Sequence, residues 1–100
     1  MSTKLLKLYF SREQKDDILD CLIQLNCLSG FSLYDIDGFS RNHKRFDIGE
    51  QIRGARRMFV VEVICRETDV AKIRKSLSAL HFNESIRYLL QPIETDGHWD

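Results

Sequence analysis

The chain has a single proline, Pro92, and only five glycines. With so few breakers there is no linker, and no internal repeat or low-complexity segment interrupts it. Residues 1–100 therefore read as one domain, long enough for a two-layer core and too short for two. Its three cysteines, Cys21, Cys27 and Cys65, are an odd number, which argues against a disulfide framework and for a reducing cytoplasm. No apolar run approaches the ~20 residues that cross a bilayer. Met1-Ser2-Thr3-Lys4 runs straight into a strand pattern, leaving no signal-peptide cleavage region. A cytoplasmic protein, not itself inserted in a membrane, is expected. Net charge is also missing: fifteen basic residues offset fifteen acidic ones, so bulk electrostatics singles out neither nucleic acid nor an anionic surface. Gly-x-Ser-x-Gly, a phosphate-binding loop and His-Glu-x-x-His are all absent, and no enzymatic activity is expected.

What remains is an ordinary globular composition, 43% hydrophobic and 30% charged. Lys4–Phe10 alternates as a strand, with Leu6, Leu8 and Phe10 on one face and Leu5, Lys7 and Tyr9 on the other. Ser11 and Gln14 form a capping-box signature. Ile18, Leu22 and Leu25, flanked by Leu19 and Ile23, then repeat at helical spacing, and Gly30 is the expected stop. Phe31–Phe39 is a second strand, with Gly38 marking a bend or bulge at its end. Met58–Cys65 is the strongest strand. Thr68 or Asp69 should cap a second helix carrying Val70, Ile73, Leu77 and Leu80. Ser85–Ile93 closes the set as a strand that Pro92 ends or confines to an edge.

The order β-α-β-β-α-β is the split βαβ arrangement of ferredoxin-like α+β domains, a four-stranded antiparallel sheet with two helices on one face. Two helices cover one face of such a sheet. If Phe59, Val61 and Val63 face the helices, Val60 and Ile64 point the other way, joined by Leu5, Tyr9 and Leu89. An apolar patch of that kind marks an interface, and self-association is its simplest use.

Between the second and third strands lies a polar stretch, Ser40–Ala55, long against the ~4–6 residues of most connections. Its length and composition predict a mobile, functional loop. It concentrates Arg41, Lys44, Arg45 and Arg53, with Arg56 and Arg57 following. Gly38-Phe39-Ser40-Arg41-Asn42 at its start and Arg53-Gly54-Ala55 at its end resemble two landmarks of PII signalling proteins. These are the Gly-Phe-Gly-Arg-Gln segment that ends their second strand and the Arg-Gly-Ala that precedes their third. Val60-Val61-Glu62-Val63-Ile64 resembles the family's third strand, where an acidic residue is common. The resemblance implies a homotrimer whose sheets pack inward, with adenine nucleotide bound between subunits. It also implies a long loop that controls a partner enzyme or membrane transporter, as in nitrogen regulation. On this reading Gly38, Phe39, Arg41 and Glu62 are the ligand-binding residues. Asn42, His43, Lys44, Arg45, Arg53 and Gly54 form the partner-binding loop. Glycine lets backbone amides approach a phosphate, and arginine can pair with it bidentately.

Three departures bear on the ligand. The family's second glycine-rich segment, with its lysine, corresponds to His81-Phe82-Asn83-Glu84-Ser85, which has neither. The tyrosine that the family modifies after Arg-Gly-Ala is replaced by Arg56-Arg57, and the second glycine of the strand-two motif is Ser40. These point to a divergent PII-like branch with no cofactor and at most weak adenine-nucleotide binding. Some PII-like families accompany heavy-metal efflux, so the alternative is a metal-homeostasis accessory.

No metal site can be assigned from the residues. His43, His81 and His98 lack ligand spacing, and Cys21 and Cys27 lie on different faces of a helix. In the tail Glu94-Thr95-Asp96-Gly97-His98-Trp99-Asp100, a carboxylate and an imidazole two apart could share a metal. Equally, Trp99 could dock against a neighbouring subunit, or the tail could simply be flexible. Cys65, on the core-facing register, reads as a structural thiol. Arg56-Arg57-Met58-Phe59-Val60-Val61 has the basic start of an RNA-recognition strand, but lacks its glycines and paired aromatics, so nucleic acid is not an expected partner. The two arginines are read as a solvated edge or as contacts for an anionic ligand or partner.

Overall fold

Alternation of side chains builds the centre of the sheet. In the computed structural model, which describes residues 3–39, 55–82 and 84–100, β1 (Thr3–Ser11) buries Leu6, Leu8 and Phe10 on one face. The capping signature forms as read: Gln14 Oε1 accepts from Ser11 N at 2.9 Å and from Ser11 Oγ at 3.1 Å. One 3₁₀ turn, Arg12–Gln14, leads into α1 (Lys15–Ile23).

This helix is shorter than the apolar spacing predicts. Gln24 is its C-cap, and the chain continues as turns with Leu25 N bonded to Leu22 O and Leu28 N to Leu25 O. Gly30 therefore does not stop the helix. Asn26 and Ser29, whose short side chains favour turns over helix interiors, fall where it would have continued. Ile18 and Leu22 are buried, Leu19 and Leu25 pack against the core, and Ile23 is 70% exposed. The stripe is thus one residue narrower than expected.

β2 (Ser32–Gly38) and β3 (Arg56–Arg66) pair antiparallel, with Gly38 opposite Arg56 and Ser32 opposite Glu62. α2 (Glu67–Ser78) follows without a break. Its N-cap is Arg66, not Thr68 or Asp69. Asp69 instead reaches back from the third helical position, where Oδ2 accepts from Arg66 N at 3.1 Å and from Arg66 Nε at 3.3 Å. A side chain that can close a capping box from its far end makes the N-cap residue type less decisive. These bonds hold the Asp69 carboxyl below its ordinary value, against the opposing effect of burial. Leu80 lies beyond the helix end, its N bonded to Leu77 O.

β4 (Arg87–Pro92) completes the sheet in the order β2-β3-β1-β4. Pro92 sits opposite Lys4 at the end of this edge strand, where a missing donor costs least. The arrangement is the ferredoxin-like βαββαβ fold. The core joins Leu6, Leu8, Phe10, Val61, Val63 and Cys65 to Ile18, Leu22 and Ile73 from the helices. Phe10 and Phe59 stack with centroids 6.3 Å apart. Cys65 is buried here as expected, and burial raises its thiol pKa, as it does for Cys21. The helices cover β1 and β3 but not the edge: on their side of β4, Tyr88 and Leu90 remain 63% and 40% exposed.

Candidate functional site

One end of the sheet gathers four distant pieces of sequence. β1 ends there at Ser11, β2 ends at Gly38, and β3 begins at Arg56, while the connection between α2 and β4 passes beside them. Two side chains tie that connection down. Gln14 Nε2 donates to Glu84 O at 2.9 Å, and Arg56 Nη2 donates to Glu84 Oε1 at 2.6 Å. Arg56 is nearly buried, its side chain 10% exposed, and Glu84 is 28% exposed. A charge-assisted pair this short and this sheltered is a firm contact. Arg57 sits apart on the surface and pairs with Asp35 at 3.2 Å. Arg56 is thus not a solvated edge, and both arginines have carboxylate partners within the chain.

Gly38 is packed closely: a Cβ there would lie 2.7 Å from Met58 Sδ. Phe39 next to it is 75% exposed. Arg41, Asn42, His43, Lys44, Arg45, Arg53 and Gly54 lie outside the described residues. Glu62 is elsewhere. It stands six positions along β3 from Arg56, about 20 Å at the rise of a strand, so one chain does not bring Glu62 and Gly38 together.

Glu62 belongs to the sheet face away from the helices. Lys7 Nζ is 3.4 Å from its carboxylate, and Tyr34 is hydrogen-bonded to it. Lys7 titrates above its ordinary value, chiefly through Tyr34 and then through the Glu62 bond. Tyr34 is raised by burial and by the Glu62 charge. Around this charged centre, Leu5, Tyr9, Ile64 and Leu89 share the face, and Arg87 lies over the Tyr9 ring at 5.6 Å. Val60 is on the same face yet fully buried, because its cross-strand neighbours are Tyr9 and Tyr34. The face is therefore apolar with a charge pair at its middle: alternation had already placed Lys7 there, and the structure supplies Glu62 as its partner.

Among the described residues, no three of His, Cys, Asp and Glu come together as a metal-binding set. No helix there is long and apolar enough to cross a membrane. The tail is exposed along its length, with Trp99 fully accessible.

The model of the family described as "Protein of unknown function (DUF3240)" matches residues 1–100. The chain belongs to that family. A crystal structure of a DUF3240 family protein from Shewanella baltica OS155 is similar to it at 32% identity and TM-score 0.81, covering 100% of this chain and 99% of that one. CPII from Thiomonas intermedia K12, a nitrogen regulatory PII-like protein bound to ADP, AMP and bicarbonate, matches at 12% identity and TM-score 0.70. That match covers 99% of this chain and 98% of the other. The fold of this DUF3240 chain is thus the PII-like one. Comparison with curated proteins gives no match.

Gln14, Arg56 and Glu84 were not legible as a site. Ser11 and Gln14 carry a local capping signature, but nothing local reports a bond from Gln14 to a residue seventy positions away. A lone glutamate in a polar connection carries no signal of its own.

Proposed function

We propose that this DUF3240 chain is a non-catalytic, cytoplasmic PII-like regulatory subunit. It assembles as a homotrimer through the open sheet face and controls a partner enzyme or membrane transporter through the β2–β3 connection. One observation carries the reading. The root of that connection, at Arg56, is fastened through Glu84 to the α2–β4 connection, so a ligand or partner acting on one segment is felt by the other. The apolar open face supports assembly. Glu62 and the Gly38 end of the sheet, far apart in one chain, would share a cleft only where two copies meet.

The ligand is not an ordinary nucleotide triphosphate. Residues 81–85 offer no glycine or lysine, and a carboxylate already neutralises Arg56 at that corner. Losing one charge-assisted contact costs roughly 1.5–3 kcal/mol, about one to two decades in affinity. Several are missing, so ATP binds weakly or not at all. Isothermal titration of the pure protein against adenine nucleotides, and against copper, zinc and nickel, tests this directly. No nucleotide heat at micromolar protein is expected. A tight, stoichiometric ATP complex overturns the ligand argument. Tight binding of a metal ion favours a role in heavy-metal homeostasis over control of a partner enzyme or transporter.

A further inference from the structure

The two helices leave a trough along the sheet edge, between α2 and β4, of about 400 Å³. Ile73 and Leu77 form one wall, Tyr88 and Leu90 the other, and Ile86 closes an end. The charged residue among those lining it is Arg74, with Lys75 next to it on α2. The volume is in the range that takes a small organic group. Residues 94–100, which follow β4, carry the complementary features. They hold three carboxylates, Glu94, Asp96 and Asp100, and the chain's single tryptophan, Trp99, standing entirely in solvent. A tryptophan is a large apolar anchor that gains most from desolvation.

We propose that this trough receives residues 94–100 of a second copy of the chain, with Trp99 as the anchor and Arg74 facing the tail's carboxylates. Apolarity and charge sign agree on both sides. The tail leaves its own trough behind. Tyr88 and Leu90 precede Pro92, and Ile93 N is still bonded to Thr3 O, so the segment begins past the trough's end. A Cβ on Gly97 would have no neighbour within 4 Å, so at that point the tail stands off its own body. From Glu94 to Trp99 the chain can span roughly 17 Å when extended, enough to cross to an adjacent subunit. The contact rests on the self-association proposed above but uses a different surface.

Because Trp99 is the sole tryptophan, its emission reports this contact alone. Emission and acrylamide quenching are measured across a dilution series, with sedimentation velocity on the same samples. In the assembled wild type the emission shifts to the blue and quenching falls several-fold, and both effects vanish on dilution to monomer. Arg74→Glu and Leu90→Asp, both at exposed positions, restore the solvent-like spectrum with circular dichroism unchanged. Asp96→Lys together with Arg74→Glu recovers the blue shift. An assembled protein whose Trp99 stays solvent-like overturns the docking while the assembly stands. Shielding that persists in the monomer also overturns it, because the chain's own surface then covers the ring. A chain that stays monomeric with solvent-like Trp99 removes both.

Discussion

Arg56→Met should destabilise the fold by about 2 kcal/mol, and Glu84→Leu added to it should return most of that loss. The pair is 2.6 Å apart with side chains 10% and 28% exposed, so solvent screens it little. A hydrogen bond between charged groups contributes ~1.5–3 kcal/mol, and deleting one partner leaves the other partly buried without its counter-charge. Replacing both with apolar side chains removes the desolvation cost along with the bond, which is often close to neutral. In a domain this size each kcal/mol moves Tm by about 4–8 °C, so the single variant should melt roughly 8–16 °C lower. Urea unfolding of wild type, both singles and the double gives the coupling energy, which isolates this pair from the other contacts Arg56 makes. The Arg57–Asp35 pair is the internal control. It is 3.2 Å long but 55% and 60% exposed, and its coupling should stay below ~0.5 kcal/mol. If the Arg56–Glu84 coupling is no larger than the control's, the two connections are not mechanically fastened, and the coupling mechanism proposed above loses its basis.

Ile64→Glu puts a charge at a half-exposed position of the open sheet face. Monomer stability should change by less than about 1 kcal/mol, while analytical ultracentrifugation shows dissociation; a wild type already monomeric at micromolar concentration refutes the assembly. Gly38→Ala meets Met58 Sδ, a flexible side chain, and Gly38 does not occupy the left-handed region. A loss of no more than ~1 kcal/mol by thermal melting is therefore expected, and a much larger one would show that backbone packing, not Met58, limits the site. Asp69 has its folded-state pKa below the ordinary 3.8, so its contribution is complete above that pH and drains as the pH falls through the lower folded value. Asp69→Asn should flatten the acid limb of a stability–pH curve, and an unchanged limb would deny the carboxylate this role. Lys7 is shifted upward, so its contribution is complete below pH 10.5 and is lost as the pH rises through the folded value. Lys7→Met should flatten that alkaline limb.

How far the sequence reached is clear from particular residues. Leu6, Leu8 and Phe10, or Val61 and Val63, choose their face by alternation alone, because a strand has a fixed period and one wrong register exposes the whole set. Ser11 and Gln14 fixed a helix start within four residues, since both partners are local. The helix boundaries slipped where competition was local and subtle, at Gln24 and at Arg66, because turn-favouring residues and a reaching Asp69 act over single positions. The order of elements, the side chains of β1 and β3 that face the helices, and the edge position of Pro92 were written in short-range pattern, whereas the burial of Val60 on the open face was not. Only the tertiary structure decided which distant pieces meet. Glu84 became the partner of Arg56, Glu62 paired with Lys7 at the middle of an apolar face, and β4 was left uncovered. Each depends on how strands stack side by side, and the free energy of those contacts comes from groups far apart in the chain whose individual identities carry no periodic signal.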